Sequence, residues 1–280
     1  MKIVSIGEIL WDVFPDAERL GGAPFNFAVN AHRLGHDVRL ISAVGRDDRG
    51  RRAIHRMRQI ELSADLVQCV EDAPTGAVTI ELSSGNEPVY TIYRPAAYDF
   101  VKLDQSNLEW LSQFQADWTY FGTLYQMHAQ SRAAVTDLLR AMPRARRFYD
   151  INLRLNSYTP ELVSHLLSEA DVVKLNADEA TTVAPQISSC ETFCRAIAHD
   201  YDLMAICVTL GKDGCAALIH NEYVESPGFP MAVADPVGAG DAFAAAFLHG
   251  IDAGWPASET ARFANQAGAN AVTFRGAIPG

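Results

Sequence analysis

The sequence predicts an α/β domain, with a mainly parallel sheet covered by helices on both faces and a small β flap outside it. Two observations carry this expectation. Short β-rich runs alternate with helix-period runs over most of the chain, the pattern of parallel strands joined by helical crossovers. One stretch breaks the alternation, with two consecutive strands and no helix between them, as a hairpin outside the parallel core would have. Composition sets the limits. The 280 residues are 49% hydrophobic and 20% charged, ordinary for a globular chain and enough to bury a large core. Lys+Arg number 23 against 34 Asp+Glu, a formal net charge of −11, which argues against non-specific nucleic-acid binding.

The elements follow in order. Lys2–Ile6 is a short strand. Pro24–Leu34 is a helix, with Phe27, Ala28, Ala31 and Leu34 on one face, Pro24 suited to its start and Gly35 to its end. Val38–Val44 reads as a strand and Gly50–Gln59 as a polar surface helix. Gly76–Leu82 and Val89–Tyr93 alternate as strands around the turn-rich Ser83-Ser84-Gly85-Asn86, and form the expected flap. Later strands are Trp118–Phe121, Arg147–Ile151, Val172–Leu175, Met204–Leu210 and Ala216–Ile219, with helices at Arg132–Ala141, Glu161–Ser168 and Glu191–His199. The opening apolar stretch is broken by Glu8 and Asp12, so it does not read as a signal sequence, and no run approaches the ~20 apolar residues of a membrane span. Five scattered cysteines, with only Cys190 and Cys194 at i,i+4 spacing and no His or Cys partners nearby, are expected as free thiols in a cytoplasmic setting.

The most informative segment is Asp235-Pro-Val-Gly238-Ala239-Gly240-Asp241, which opens an Ala-rich helix that is apolar nearly all round and therefore buried. Small residues at a helix start leave backbone N–H groups open to an anion, and the helix dipole adds favourable potential. A carboxylate beside a bound phosphate repels it unless the carboxylate has a task. Accepting a proton from a hydroxyl that attacks the phosphate is such a task, and the dipole is expected to keep Asp241 ionised for it. Taken alone, the segment reads equally as a tight turn with Asp241 stabilising the helix start. Other nucleotide signatures fail: there is no Gly-x-x-x-x-Gly-Lys-[Ser/Thr], and no dinucleotide fingerprint follows the first strand, which disfavours a nicotinamide dehydrogenase.

Asp235–Phe243 resembles the C-terminal signature of the ribokinase/PfkB family of carbohydrate kinases. A second stretch, Gly21-Gly22-Ala-Pro-Phe-Asn26 through Leu34-Gly35, resembles the N-terminal signature of that family. The resemblance runs from Ile6-Gly7-Glu8 to Gly276-Ala277-Ile278-Pro279. It implies a ribokinase-like three-layer αβα domain over residues 1–280, with lid segments near 12–22 and 75–98. It also implies an ATP-dependent enzyme in which Asp241 is the catalytic base and the amides of Gly238, Ala239 and Gly240 form the anion hole.

Further roles are implied residue by residue. Asp12, Gly22 and Asn26 match sugar-binding positions, which suits a ligand whose hydroxyls both donate and accept. Without the resemblance, Asp12 would pass for a solvated turn residue and Asn26 for a surface one. Asn176-Ala-Asp-Glu179 matches an element associated with Mg2+ and phosphate, although a helix-start Asn with a surface Glu is common. Magnesium keeps several waters, so Glu179 is expected to act through one. Thr209, Gly211 and Gly214 match the loop along which ATP lies, although a plain β-turn is the alternative, and Asn265 falls where relatives contact the base. A potassium ion would be held at Asp235, Val237, Ala271, Phe274, Gly276 and Gly280, mostly by backbone oxygens. Arg94 could hang from the flap into the site, or stand as a solvated charge.

Asp150-Ile-Asn-Leu-Arg154 resembles an element of fructokinase-like and 2-keto-3-deoxygluconate kinase-like members, with Asp150 toward the substrate and Arg154 near the transferring phosphoryl group. Ala23-Pro24 after the glycine pair leans the same way. A neutral hexose, fructose first, is the expected acceptor, with the keto acid as the alternative because Arg94 or Arg154 could receive a carboxylate. A non-catalytic sugar or nucleotide sensor is the rival from another class, and an intact Asp241 argues against it. Expected partners are a small sugar and ATP, neither nucleic acid nor membrane; the flap could pair with a second copy of the chain through its edges, or stand alone.

Overall fold

The computed structural model describes residues 1–82, 88–154 and 157–278; the expected turn at Ser83–Asn86 and the position of Gly280 lie outside them. The chain begins with β1 (Lys2–Ile6), then β2 (Leu10–Val13) and β3 (Glu18–Gly21), α1 (Ala23–Arg33), β4 (Asp37–Gly45), α2 (Asp48–Gln59) and β5 (Val67–Val70). Next come β6 (Gly76–Leu82), β7 (Pro88–Ile92), α3 (Gln105–Phe114), β8 (Trp118–Gly122), α4 (Ala129–Ala141), β9 (Arg146–Asp150) and α5 (Pro160–Ser168). The last third holds β10 (Val172–Asn176), α6 (Ala177–Val183), α7 (Cys190–Asp200), β11 (Ala205–Thr209), β12 (Gly214–Ile219), β13 (Glu222–Pro227), α8 (Ala239–Asp252) and α9 (Ala257–Ala271).

The large sheet has the order β13-β12-β11-β10-β9-β8-β1-β4-β5. Its strands from β11 to β5 are parallel, and β12 and β13 close one side as an antiparallel meander. Because these strands are covered on both faces, successive residues serve opposite cores. Val4, Ile6, Phe121, Tyr149, Val173 and Leu175 pack with Leu111, Leu138, Leu166 and Phe193 from α3, α4, α5 and α7. Ile3, Trp118, Tyr120, Phe148 and Val172 face the other way, onto Phe27, Met57, Phe247 and Ala261 from α1, α2, α8 and α9. The apolar α8 is buried between the sheet, α1 and α9, as its composition requires.

The β6–β7 hairpin forms, but not alone. It joins β2 and β3 in a second sheet of order β3-β2-β6-β7, in which β2 runs parallel to β6. The β2 and β3 strands are four residues each, and alternation over so short a run gives little signal. Asp12 thus lies in a strand of the small sheet, not in a turn.

Candidate active site

The parallel strands end along one edge of the large sheet, where the crevice of such folds lies. Tyr120 of β8, Asp150 at the end of β9 and Lys174 of β10 meet there. Phe27 of α1 stacks on the Tyr120 ring at 3.7 Å between centroids, with Phe148 edge-on to both. That column fixes the Tyr120 hydroxyl, which donates to Asp150 Oδ2 at 3.0 Å. Lys174 Nζ reaches both oxygens of the fully buried Asp150, at 3.1 and 3.2 Å. Burial works against the Lys174 charge, but the carboxylates of Asp150, Glu179 and Asp241 outweigh it, and its pKa stands above the ordinary lysine value.

The Gly238–Gly240 turn sits directly over this ammonium. A Cβ placed on Gly240 would stand 3.1 Å from Lys174 Nζ. Gly238, the residue before α8, has φ +83°, and a side chain there would collide with Ala277 Cβ at 2.4 Å. The turn therefore combines a helix N-terminus, small residues and a buried cation, which suits an oxyanion. Asp241 follows in the first turn of α8, nearly buried, and Asn26 Nδ2 donates to its Oδ2 at 2.7 Å. Neither the dipole nor this hydrogen bond holds its pKa at the ordinary aspartate value. Burial, then the neighbouring Asp150 charge, push it from 3.8 up to about 6 against Asn26, Lys174 and Arg154. It is still mostly ionised at neutral pH, and as a stronger base than an ordinary aspartate it can take a proton.

Gly22 leads into α1 with φ +110°, where a Cβ would lie 2.4 Å from the Glu8 carbonyl oxygen, so only glycine lets the two segments touch. Asp12 Oδ2 lies 2.8 Å from where a Cβ of Gly21 would be. Burial and the Asp241 charge raise the Asp12 pKa to about 6, with Arg154 opposing. Glu8, which the sequence reading passed over, completes the group. It is 4% exposed, and burial pushes its carboxyl up to about 7.

Some expected side chains are committed elsewhere. Arg94 does not reach freely into the site: its guanidinium donates twice to Asp99, buried beneath it, and to the Leu124 carbonyl at 2.9 Å. Asp150, expected toward the substrate, is the last residue of its strand and pairs with Lys174. Asn265 donates to the carbonyls of Ser226 and Pro227, pinning the end of β13 to α9. Glu179 and Asn176 cap α6 reciprocally: Asn176 Oδ1 accepts from Glu179 N, while Glu179 accepts from Asn176 N and Leu153 N. Thr209 pairs with Asn176 across adjacent strands, Gly211 starts a 3-10 turn, and Gly214 packs tightly on Ser226–Gly228. Arg154 is exposed, yet its charge is felt by Glu8, Asp12 and Asp241.

Asp235 ties two loops together, accepting from Val237 N at 3.0 Å and Gly276 N at 2.9 Å, with Arg19 3.6 Å away. The Val237, Phe274 and Gly276 carbonyls accept no backbone hydrogen bond among the described residues, while Ala271 ends α9. Lys174 and the role of Glu8 are what the sequence hid. A lone lysine in a strand carries no motif, Glu8 stood only as part of the resemblance's opening residues, and burial is what singles both out.

A helix start suited to an anion, a buried carboxylate beside it and a cluster of polar groups fit a phosphotransferase with a polyhydroxyl acceptor. Residues 2–280 match the pfkB family carbohydrate kinases, and the chain belongs to that family: it is an ATP-dependent carbohydrate kinase. It is 30% identical to the fructokinase of Klebsiella pneumoniae over 99% of this chain and 95% of the relative. An uncharacterized sugar kinase from Pyrococcus horikoshii, solved in complex with ATP, superposes with a TM-score of 0.82 at 26% identity, covering 98% of this chain and 93% of that one. A fructokinase from Xylella fastidiosa with bound ATP has the same fold, with a TM-score of 0.87 at 24% identity, over 99% and 93% of the two chains.

Proposed function

We propose that this kinase transfers the γ-phosphate of ATP to a hydroxyl of free fructose. The observation that carries the reading is the Asn26–Asp241 bond at 2.7 Å, which holds a buried carboxylate of raised pKa beside the Gly238–Gly240 turn. Asp241 takes the proton of the attacking hydroxyl, the turn amides hold the phosphoryl oxygens, and Lys174 beneath them offsets the charge. Asp12, the Gly22 backbone and Asn26 bind the other hydroxyls. Arg154 lies at the mouth, where a guanidinium steadies the transferring group. Closing the small sheet over the sugar would exclude water from the γ-phosphate.

ATP lies along Thr209, Gly211 and Gly214, with Asn176 and Glu179 toward its phosphates and Asn265 toward its base. Magnesium would be held mainly by those phosphates and would neutralise their charge. Each Glu179 oxygen already takes one N–H group, and the residue would hold the ion through a water, as magnesium that keeps its waters allows. The free Val237, Phe274 and Gly276 carbonyls beside Asp235 fit a potassium ion, which would stiffen the loop before α8. Edge strands β3 and β7 offer the small sheet a route to a dimer. No helix among the described residues is long and apolar enough to cross a membrane, and we place the enzyme in the cytoplasm.

Fructose is favoured over a keto acid by electrostatics. Burial raises the pKa values of Glu8, Asp12 and Asp241, and the Asp241 charge is felt by the other two, so an acceptor carboxylate would meet repulsion in the same cleft. Arg94, one of two arginines able to answer it, is spent on Asp99. The 30% identity to a fructokinase points the same way. The test is ADP release with Mg2+ and K+ against fructose, ribose, 2-keto-3-deoxygluconate, tagatose and adenosine. A kcat/KM for fructose at least tenfold above the others is expected. Preference for the keto acid would overturn the reading and assign Arg154 to its carboxylate.

A further inference from the structure

Glu8 is a polar group of the cleft with no role yet assigned. Its Oε2 is buried without a hydrogen-bond partner, as are the Tyr98 hydroxyl and Oδ1 of Asn26, the sugar-binding amide. Folded chains keep few such atoms, and those they keep call for a reason. Helix capping accounts for only part of Glu8. Gly22 offers α1 no side-chain cap, and the backbone N–H groups of Glu8 itself and Ala23 face the Glu8 carboxyl instead. That role needs one oxygen and leaves the other open.

Its surroundings say what the open oxygen meets. Glu8 feels the charges of Arg154 and Asp241, and its backbone carbonyl packs against Gly22, next to Gly21 and Asp12. Its charge is felt by Arg94 and Tyr98, and the Tyr98 ring packs against Gly76 of β6 in the small sheet. Glu8 thus lies near both the proposed base and the small sheet. A sugar hydroxyl both donates and accepts, so it can satisfy a carboxyl in either protonation state.

We propose that Glu8 is a specificity-determining residue, its Oε2 bound to an acceptor hydroxyl other than the one phosphorylated. This rests on the reading of the cleft as the sugar site. A site built to bond a hydroxyl discriminates strongly against an analogue that lacks it.

The experiment is a cycle between residue and substrate. The wild-type enzyme is first ranked on the acceptor panel, which tests the fructose reading alone. The best acceptor and its monodeoxy analogues are then assayed with wild type, Glu8→Ala and Glu8→Gln. Glu8→Ala is expected to raise KM for the parent sugar about tenfold or more while KM for ATP stays within about twofold, and Glu8→Gln to recover part of the loss. For one deoxy analogue, wild type and variants should bind alike, because the contacted hydroxyl is already gone. An unchanged sugar KM, or an equal rise for every analogue with a lowered Tm, would overturn the proposal and leave Glu8 as a helix cap. If the variants do not fold, a crystal structure of the wild type with its sugar decides. Oε2 within about 3.2 Å of a sugar hydroxyl upholds the assignment, and Oε2 facing only protein or water refutes it.

Discussion

Replacing Asp241 by asparagine should abolish turnover and stabilise the fold at once. The side chain keeps its shape, and its amide oxygen can still accept from Asn26 Nδ2, so the change removes the charge and little else. In the folded chain the Asp241 pKa is raised from 3.8 to about 6, chiefly by burial and then by Asp150. Between those values the folded state holds the proton more tightly than the unfolded state. Stability therefore falls as pH rises through that window and stays lower above it. A rise from 3.8 to about 6 corresponds to about 3 kcal/mol, at about 1.4 kcal/mol per pH unit. Asparagine carries no such penalty. At pH 7.5 the variant should unfold at higher urea, by up to about 3 kcal/mol, and its Tm should rise on the order of 5 °C. Below about pH 4 the two proteins should converge. Turnover should fall roughly 10²–10⁴-fold, the usual worth of a positioned base. Urea unfolding at pH 7.5 and 4, coupled ADP release and sugar calorimetry measure the three effects. Turnover within tenfold of wild type would refute the assignment of the base. A variant less stable at both pH values would refute the charge-burial argument.

Other outcomes follow from the same cluster. Sugar kcat/KM should rise between about pH 5 and 7 and then level, because Asp241, Asp12 and Glu8 titrate at about 6, 6 and 7 as a coupled group; an acid limb near pH 4 would contradict this. Lys174→Met leaves the buried Asp150 without its cation, and should cost about 3–5 kcal/mol in urea unfolding. Adding Asp150→Asn to it should restore most of that stability but not turnover, since the cation under the phosphate turn is still missing. Arg154→Ala should lower kcat tenfold or more and lower the urea midpoint only slightly, because this side chain is exposed although Glu8, Asp12 and Asp241 lose a favourable charge at neutral pH.

Much of the molecule could be read along the chain, for a local reason. Strand and helix periods depend on neighbours within a few residues, so the parallel core, α1 and the buried α8 follow from patterning. The Gly-Gly and Gly-Ala-Gly-Asp segments were visible because backbone approach and φ above zero demand particular residues at particular spacings. The short strands β2 and β3 were not, since four residues each give no period and the pairing of β2 with β6, which places both in the small sheet, is made across more than fifty positions.

Local stretches of the chain supply the chemistry on offer: a helix start suited to an anion, a carboxylate within it, and the small and amide-bearing residues of a sugar kinase. Tertiary structure decided which side chains remain available for that chemistry. It brought Asn26 to Asp241 across 215 positions and set Lys174 beneath Gly240. It spent Arg94 on Asp99 and Asn265 on the end of β13, and left Glu8 buried with an open oxygen. The reason is physical. A motif specifies a group's identity and its local backbone, whereas its pKa, its partners and its freedom depend on burial and on charges brought near by the fold, which no local stretch of sequence encodes.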